Sequence, residues 1–284
     1  MMISPPLIAH LEKVLARIFG TTFHVFQISL VSGGCINHAH KLETSAGNFF
    51  LKFNSKLRFP GMFEAEAKGL KLLKSTGTIN VPEVICTGEF EALSFILLEY
   101  IESGKHSSDH WERAGHQLAK LHKKCETNFG LDHSNYIGSL GQSNTWHEEW
   151  ISFFMKERIL AIGSKIVEPY RDKLEKKLYD IFPEEPPALL HGDLWSGNIM
   201  CEHNGHPVFF DPAVYYGHRE MDLAMTKLFG GFPGQFYTAY DREYPLAAGF
   251  DERVDFYNLY PLLVHVKLFG GSYLDQVLTI LKRL

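Results

Sequence analysis

The amino-acid sequence predicts an α+β protein of two lobes, a small β-rich lobe over residues 1–101 and a larger helical lobe over residues 102–284. Short apolar runs separated by turn-forming residues fill much of the first hundred residues, which is typical of antiparallel strands. After residue 105, apolar residues instead recur at helical spacing. With 284 residues, 45% of them hydrophobic, the chain can bury one large core or two closely packed ones.

The N-terminal lobe is predicted to contain five strands and one clear helix. Ser32-Gly33-Gly34 and Ser45-Ala46-Gly47-Asn48 are the turn signals between the first three strands. The helix is indicated by Phe63, Ala67 and Leu70 on one face. The predicted strands cover residues 26–31, 38–44, 49–53, 83–87 and 95–101, and the helix covers residues 63–74.

The C-terminal lobe is predicted to be a set of helices. Ser108-Asp109 is a candidate cap for the first, whose apolar face contains Trp111, Ala114, Leu118 and Leu121. The other predicted helices cover residues 146–162, 169–181, 220–228, 233–240 and 252–268. In a two-lobed protein of this kind, we expect a ligand cleft against the connecting segment near residues 101–105.

Composition excludes several classes of function. The net charge of −5 gives no electrostatic argument for binding nucleic acid or an anionic membrane. The start of the chain does not resemble a secretion signal, and no uncharged apolar run reaches the length of about 18 residues that a membrane span needs. The four cysteines are scattered and indicate neither a zinc site nor a disulfide framework, so a reducing cytoplasm is the expected location.

The most informative segment is His191-Gly192-Asp193-Leu194-Trp195-Ser196-Gly197-Asn198, which Asp211-Pro212 follows. A kinase catalytic loop reads His-Arg-Asp-Leu-x-x-x-Asn, with a metal-binding Asp on a later strand. Asp193 and Asn198 keep its spacing, whereas Gly192 stands at the Arg position. This variant resembles the small-molecule branch of the kinases, the aminoglycoside-phosphotransferase-like enzymes. It therefore indicates phosphoryl transfer to a hydroxyl.

Each part of a phosphoryl-transfer site has a candidate. Asp193 is predicted to be the base that orients the acceptor hydroxyl and takes its proton. Asn198 and Asp211 are predicted oxygen ligands of Mg²⁺. Lys52, inside an apolar strand, needs partners for its ammonium, and we expect these to be the phosphates of ATP and a helix glutamate. Glu66 is the preferred glutamate, with Glu64 as the second choice.

The remaining nucleotide contacts are predicted from the Gly-rich turn and the connecting segment. Backbone N–H groups at Gly33 and Gly34 would approach the phosphates closely. The backbone from Glu99 to Ile101 would lie against the base of ATP. Cys35 in the same turn is either a small buried side chain or a redox-sensitive thiol.

Other polar residues near the motif have mainly structural interpretations. His191 is expected to brace the backbone, and Asp222 is expected to brace the catalytic loop from below. His38-x-His40 and His203-x-x-His206 lack third and fourth ligands at useful spacing, so exposed histidines are the simpler interpretation.

Residue patterns typical of one kinase family are spread over most of the chain, in segments 32–36, 62–70, 115–122, 129–130, 144–154, 190–198, 211–220, 228–232 and 268–271. On these segments the chain resembles the fructosamine kinases, also called ketosamine-3-kinases. The resemblance implies a protein-kinase-like fold and ATP-dependent phosphorylation of the 3-hydroxyl of a ketosamine, small or protein-bound, in deglycation repair. Trp195 is then either a wall for the substrate or a packing residue.

One segment departs from the family pattern. The family usually shows His-Leu-Leu-Asn-His-Leu-Asn where this chain has Pro261-Leu262-Leu263-Val264-His265-Val266-Lys267, so its sugar or amine preference can differ. Two alternatives remain, a kinase of aminoglycosides, choline or homoserine, and a nucleotide-binding pseudokinase. We expect a monomer or a weak homodimer.

Overall fold

The computed structural model describes residues 3–31 and 37–284, and it begins with a helix that the sequence patterns did not predict. Helix α1 spans Pro5–Phe19 and buries Leu7, Leu11 and Leu15. The Leu7 N–H donates to Ser4 Oγ at its start, and Gly20, with φ of 69°, ends it in the left-handed conformation. These are ordinary start and stop signals, so the helix could have been recognised.

The N-terminal lobe contains one antiparallel sheet in the order β1-β2-β3-β5-β4. All five strands lie where they were predicted, with ends that differ by up to three residues. Helix α2, Met62–Ser75, follows the third strand and also matches its prediction. The strands are β1 Val25–Leu30, β2 His38–Thr44, β3 Gly47–Ser55, β4 Val84–Phe90 and β5 Leu93–Glu99.

The alternation of side chains across this sheet separates two cores. Leu51 and Leu97 lie on the face that packs against α1. Ile96 lies on the opposite face, in the larger core that includes α2 and the C-terminal lobe. Because Lys52 is paired in register with Ile96, its side chain also lies on this inner face, towards the C-terminal lobe.

The C-terminal lobe is helical, but two predicted helices differ in detail. The helix predicted over residues 146–162 begins at Trp150 and contains a π-helical stretch, Phe154–Leu160. The helix predicted over residues 252–268 is two helices, because Asn258 ends the first and donates its side-chain amide to the Ala224 carbonyl at 2.9 Å. The helices are α3 His110–His122, α4 Trp150–Phe153, α5 Ala161–Val167, α6 Arg171–Ile181, α7 Glu220–Thr226, α8 Gly234–Glu243, α9 Phe250–Tyr257, α10 Leu259–Phe269 and α11 Tyr273–Leu281.

The predicted cap of α3 is only partly correct. Asp109 occupies the N-cap position, but its carboxylate accepts from Ser107 Oγ and Arg113 Nε and makes no capping bond. Helix α11 was not predicted either.

Three two-stranded ribbons connect the helices and support the candidate site. Strand β8, Ala188–Leu190, pairs with β11, Tyr215–Gly217, while β9, Ile199–Cys201, pairs with β10, Pro207–Phe209. The third ribbon joins β6, Asn135–Ile137, to β7, Leu140–Gln142. Within the described part of the chain, no helix combines the length and the apolar character that crossing a bilayer requires.

Candidate active site

The loop between β8 and β9 holds Asp193 and Asn198 together. The Asn198 side-chain amide donates to the Asp193 carbonyl at 2.8 Å and to its carboxylate at 3.0 Å. The Asn198 N–H also donates to the Trp195 carbonyl at 2.9 Å, which closes the loop into a tight turn. The loop therefore fixes the carboxylate by bonds within its own sequence.

Asp222, at the start of α7, supports this loop from below. Its carboxylate accepts the backbone N–H of His191 at 2.7 Å and that of Gly192 at 2.8 Å. It also lies 3.1 Å from Nε2 of the buried His122 on α3, whose Nδ1 contacts the Tyr240 hydroxyl at 2.8 Å. These contacts are those expected of a structural brace under the loop. His122 belongs to the same brace, and the sequence patterns did not reveal this.

His191 links the loop that contains Asp193 to the segment that contains Asp211. The Asp193 N–H points to His191 Nδ1 at 3.4 Å, so Nε2 carries the proton and donates to the Phe210 carbonyl at 3.0 Å. Burial lowers the pKa of His191, which favours this neutral form. The fully buried imidazole braces the backbone, as was predicted.

Gly192 allows the loop to lie directly against the chain after Asp211. Its φ is 82°, and a β carbon there would be only 2.0 Å from the Ala213 carbonyl oxygen. The Ala213 N–H donates to the His191 carbonyl at 2.9 Å across the same contact. Glycine is required at this position by both the backbone conformation and the lack of space.

Lys52 joins the two lobes through a pair of carboxylates. Its ammonium donates to Glu66 Oε1 on α2 at 2.8 Å and also to Asp211 Oδ1, just after β10. The Lys52 side chain is 6% exposed, whereas that of Asp211 is 41% exposed. Burial lowers the pKa of Lys52, but the charges of Asp211 and Glu66 outweigh burial and raise it above its usual value.

The charge of Asp211 affects proton binding by the Asp193 carboxyl. Burial, and next the charge of Asp211, raise the pKa of Asp193 to about 7, while the bond from Asn198 opposes the rise. A cation bound next to Asp211 would oppose this rise in the pKa of Asp193, because it would neutralise the charge of Asp211.

The donor atoms of Asn198 and Asp211 fit a hard divalent cation. The amide nitrogen of Asn198 is used by Asp193, so its amide oxygen faces the other way and can act as a ligand. Lys52 occupies one oxygen of the Asp211 carboxylate, which leaves the other. One amide oxygen and one carboxylate oxygen suit Mg²⁺ that takes its remaining ligands from phosphates and water.

The remaining predicted nucleotide contacts are placed only in part. Gly33, Gly34 and Cys35 lie outside the described residues. Glu99 ends β5, and its exposed side chain accepts the Glu83 N–H at 3.2 Å. Glu99 and Ile101 therefore lie in the segment that leaves the sheet towards the C-terminal lobe.

The sequence patterns missed the apolar surface beside Lys52. Ala39 on β2 and Ile96 on β5 flank Lys52 in register on the inner face of the sheet. The signal that could have revealed it is the alternation of side chains between the two faces of each strand, which indicates the residues that share a face with Lys52.

Trp195 lies on the C-terminal side of the same loop. Its indole packs over Gly197, where a β carbon would be 2.4 Å from the ring. Its edge meets Phe229, with ring centroids 5.9 Å apart at an interplanar angle of 80°. The side chain is half-buried, two residues after Asp193 in the chain.

Comparisons with known proteins identify the family of this chain. The sequence pattern of the family described as fructosamine kinase matches residues 7–284. A probable ketoamine kinase of Synechocystis sp. is 40% identical over 283 residues, with 96% of this chain and 95% of the relative covered. A chloroplastic protein-ribulosamine 3-kinase of Arabidopsis thaliana is 39% identical over 275 residues, covering 92% and 83% of the two chains.

A solved structure extends the agreement to the fold. The crystal structure assigned to a fructosamine-3-kinase of Haemophilus somnus superposes with a TM-score of 0.87 at 30% identity, covering 96% of both chains. The two-lobed, protein-kinase-like α+β fold predicted from the sequence is therefore confirmed, and this chain belongs to the fructosamine kinase family.

Proposed function

We propose that this protein transfers the γ-phosphoryl group of ATP to the 3-hydroxyl of a ketosamine. Membership of the fructosamine kinase family supports both the kinase reaction and the class of acceptor. The observation that carries the roles of individual residues is the convergence of Lys52, Asp193, Asn198 and Asp211, which come from two lobes and three separate segments.

The N-terminal lobe, residues 1–101, would hold the nucleotide. The base of ATP would lie against the Glu99–Ile101 backbone and the apolar inner face of the sheet. The phosphates would be bound by the turn at Gly33 and Gly34 and by Lys52, which Glu66 holds in place. A buried ammonium with carboxylate partners on two sides is already positioned before the phosphates arrive.

The C-terminal lobe, residues 102–284, would supply the chemistry. Asn198 and Asp211 would hold Mg²⁺, which neutralises phosphate charge when bound. Asp193 would orient the acceptor hydroxyl and accept its proton. Since Asn198 and the brace at Asp222 fix the loop on both sides, the carboxylate needs little rearrangement to reach the hydroxyl.

The substrate would be a sugar that has condensed with an amine and rearranged. Trp195, next to Asp193, would provide an apolar wall for it. Phosphorylation at the 3-position makes such an adduct unstable, so the amine would be released and deglycated. The predicted cytoplasmic location agrees with this repair role and stays a prediction, as does the monomer or weak homodimer.

The proposal is tested by ATP consumption with fructose-lysine and ribulose-lysine as acceptors. Asp193→Asn is expected to lower kcat by about 10²-fold or more while ADP binding is retained. Asp180→Asn, an exposed carboxylate on α6, is the matched control and should leave kcat unchanged. Phosphorus NMR of the product should locate the phosphate on the 3-hydroxyl.

Two results would contradict parts of the proposal. Undiminished turnover in Asp193→Asn would exclude Asp193 as the base. ATP binding without turnover on either acceptor would move the assignment to another small-molecule hydroxyl, starting with aminoglycosides and choline, or to a pseudokinase.

A further inference from the structure

A row of aromatic side chains leads away from Trp195 along the surface of the C-terminal lobe. We define this aromatic row as Phe229, His265, Phe269 and Tyr273. The Phe229 ring lies 5.9 Å from Trp195 and 4.7 Å from His265, between centroids. His265 in turn lies 5.5 Å from Phe269 and 5.0 Å from Tyr273. The row is thus continuous with the loop that carries Asp193.

Phe229 is held in an unfavourable backbone conformation. Its φ of 54° lies in the left-handed region, which side chains larger than that of glycine rarely adopt. Gly230 and Gly231 follow with φ of 103° and 72°, so the chain reverses sharply here. The turn leaves the Phe229 ring 38% exposed. A strained backbone that presents an apolar ring to solvent is more typical of a binding site than of a core.

The rest of the row is aromatic and partly open to solvent. Phe269, the last residue of α10, is 54% exposed, and Tyr273 is half-buried. His265 is half-buried and its Nδ1–H donates to the Pro261 carbonyl at 2.7 Å. Burial lowers the pKa of His265, so its ring is uncharged near neutral pH. Together the four rings provide an aromatic surface without a carboxylate of their own.

The position of the row relative to Asp193 indicates its ligand. In a ketosamine, the amine is attached to C1, two carbons from the reacting 3-hydroxyl, so its substituent begins within a few bonds of Asp193. Trp195 follows Asp193 by two residues, which places their Cα atoms at most about 7 Å apart. A substituent that leaves the sugar past Trp195 therefore meets Phe229 next.

We propose that the aromatic row binds the apolar substituent on the amine nitrogen of the ketosamine. The protein would then select substrates by the amine as well as by the sugar. This inference rests on the proposed function and specifies the substrate class of the same site. An alkyl or benzyl substituent matches four uncharged rings, whereas a short or strongly anionic one gains nothing from them.

The experiment compares kcat/KM for N-methyl-, N-butyl-, N-hexyl- and N-benzyl-fructosamine. We expect kcat/KM to rise about twofold per added methylene, because one-sided contact buries roughly half of each methylene. Phe229→Ala and Phe269→Ala should lower kcat/KM for the hexyl and benzyl compounds about tenfold and leave the methyl compound within about twofold. Phe26→Ala, which truncates an exposed phenylalanine on β1, is the matched control.

The outcomes separate this inference from the proposed function. Turnover of the methyl compound with a flat substituent series would overturn the aromatic row as a subsite and keep the kinase assignment. Equal losses on all four compounds would assign the row a structural role instead. A lower molecular mass of Phe269→Ala by light scattering would show that a second copy covers the row, and would also overturn the inference. No turnover on any ketosamine would remove the proposed function itself.

Discussion

The side-chain amide of Asn198 bonds to both polar ends of Asp193, to the carbonyl at 2.8 Å and to the carboxylate at 3.0 Å. This pair of bonds determines where the carboxylate of the proposed base points. It also explains the five-residue spacing, because the turn from Asp193 to Asn198 must bring the Asn198 amide back to Asp193. The same amide presents its oxygen to the proposed cation site.

Asn198→Ala is expected to lower kcat by about 10²-fold, because it removes a ligand of the proposed Mg²⁺ and frees the Asp193 side chain. The concentration of Mg²⁺ for half-maximal rate should increase as well. Both are read from initial rates at varied Mg²⁺. The matched control is Asn204→Ala, whose side chain accepts the His206 N–H in an exposed hairpin. An unchanged Mg²⁺ dependence in Asn198→Ala would exclude Asn198 as a ligand.

Gly192→Ala is expected to destabilise the C-terminal lobe by about 3 kcal/mol or more, because a positive φ and a severe clash add together. The added methyl group would lie 2.0 Å from the Ala213 oxygen. Urea unfolding measures the loss. Gly234→Ala is the control, since a β carbon at that first residue of α8 meets nothing within 4 Å. Equal stability of the two variants would show that the loop can move away from Ala213 at little cost.

His218 is expected to make the protein less stable as the pH falls below about 6.5. Burial, and then the charges of Arg253 and Arg219, hold the pKa of His218 well below its usual value. Near pH 6 the unfolded chain therefore binds a proton at His218 that the folded chain does not. The stability that this difference contributes is fully present above the pKa of the unfolded chain and is lost as the pH falls. Between pH 6.5 and pH 5.5 this lowers the free energy of unfolding by about 1 kcal/mol.

The measurement compares urea unfolding of the parent protein and His218→Phe at both pH values. The phenyl ring can keep the stack on Trp150, which lies 4.6 Å from the imidazole, while the titrating group is removed. Identical pH dependence in both proteins would show that His218 titrates in the folded state as it does in the unfolded chain. His24→Phe is the control, because that histidine precedes β1 in the N-terminal lobe and its side chain is 65% exposed.

Local patterns predicted the strands well because each strand of the sheet has its own apolar alternation and turn residues. Strand β2 has the predicted bounds, and β3 places Lys52 where expected. Helices were harder. Helix α1 had clear capping signals that were not used, whereas the break at Asn258 depends on its bond to Ala224, 34 residues away in the chain. No periodicity in one segment can reveal such a contact.

The candidate site shows the same division. The spacing of Asp193, Asn198 and Asp211 was visible because these residues lie on adjacent short elements. The bond of His122 to Asp222 and the contact of Trp195 with Phe229 were not, because the two partners of each lie far apart in the chain. Family membership was predicted from the motifs and is confirmed by the family match, and the relatives described as ketoamine and ribulosamine kinases agree with the proposed ketosamine-directed function.

The sequence by itself determined the class of fold and the family, and it indicated the residues that we propose for phosphoryl transfer, since all of these depend on residue types at short spacings. Only the tertiary structure decided which carboxylates Lys52 meets. Glu64 and Glu66 were both candidates, but two residues on a helix point about 200° apart. Once α2 packs its apolar face, Glu66 reaches Lys52, and Asp211, 159 residues away, completes the pair.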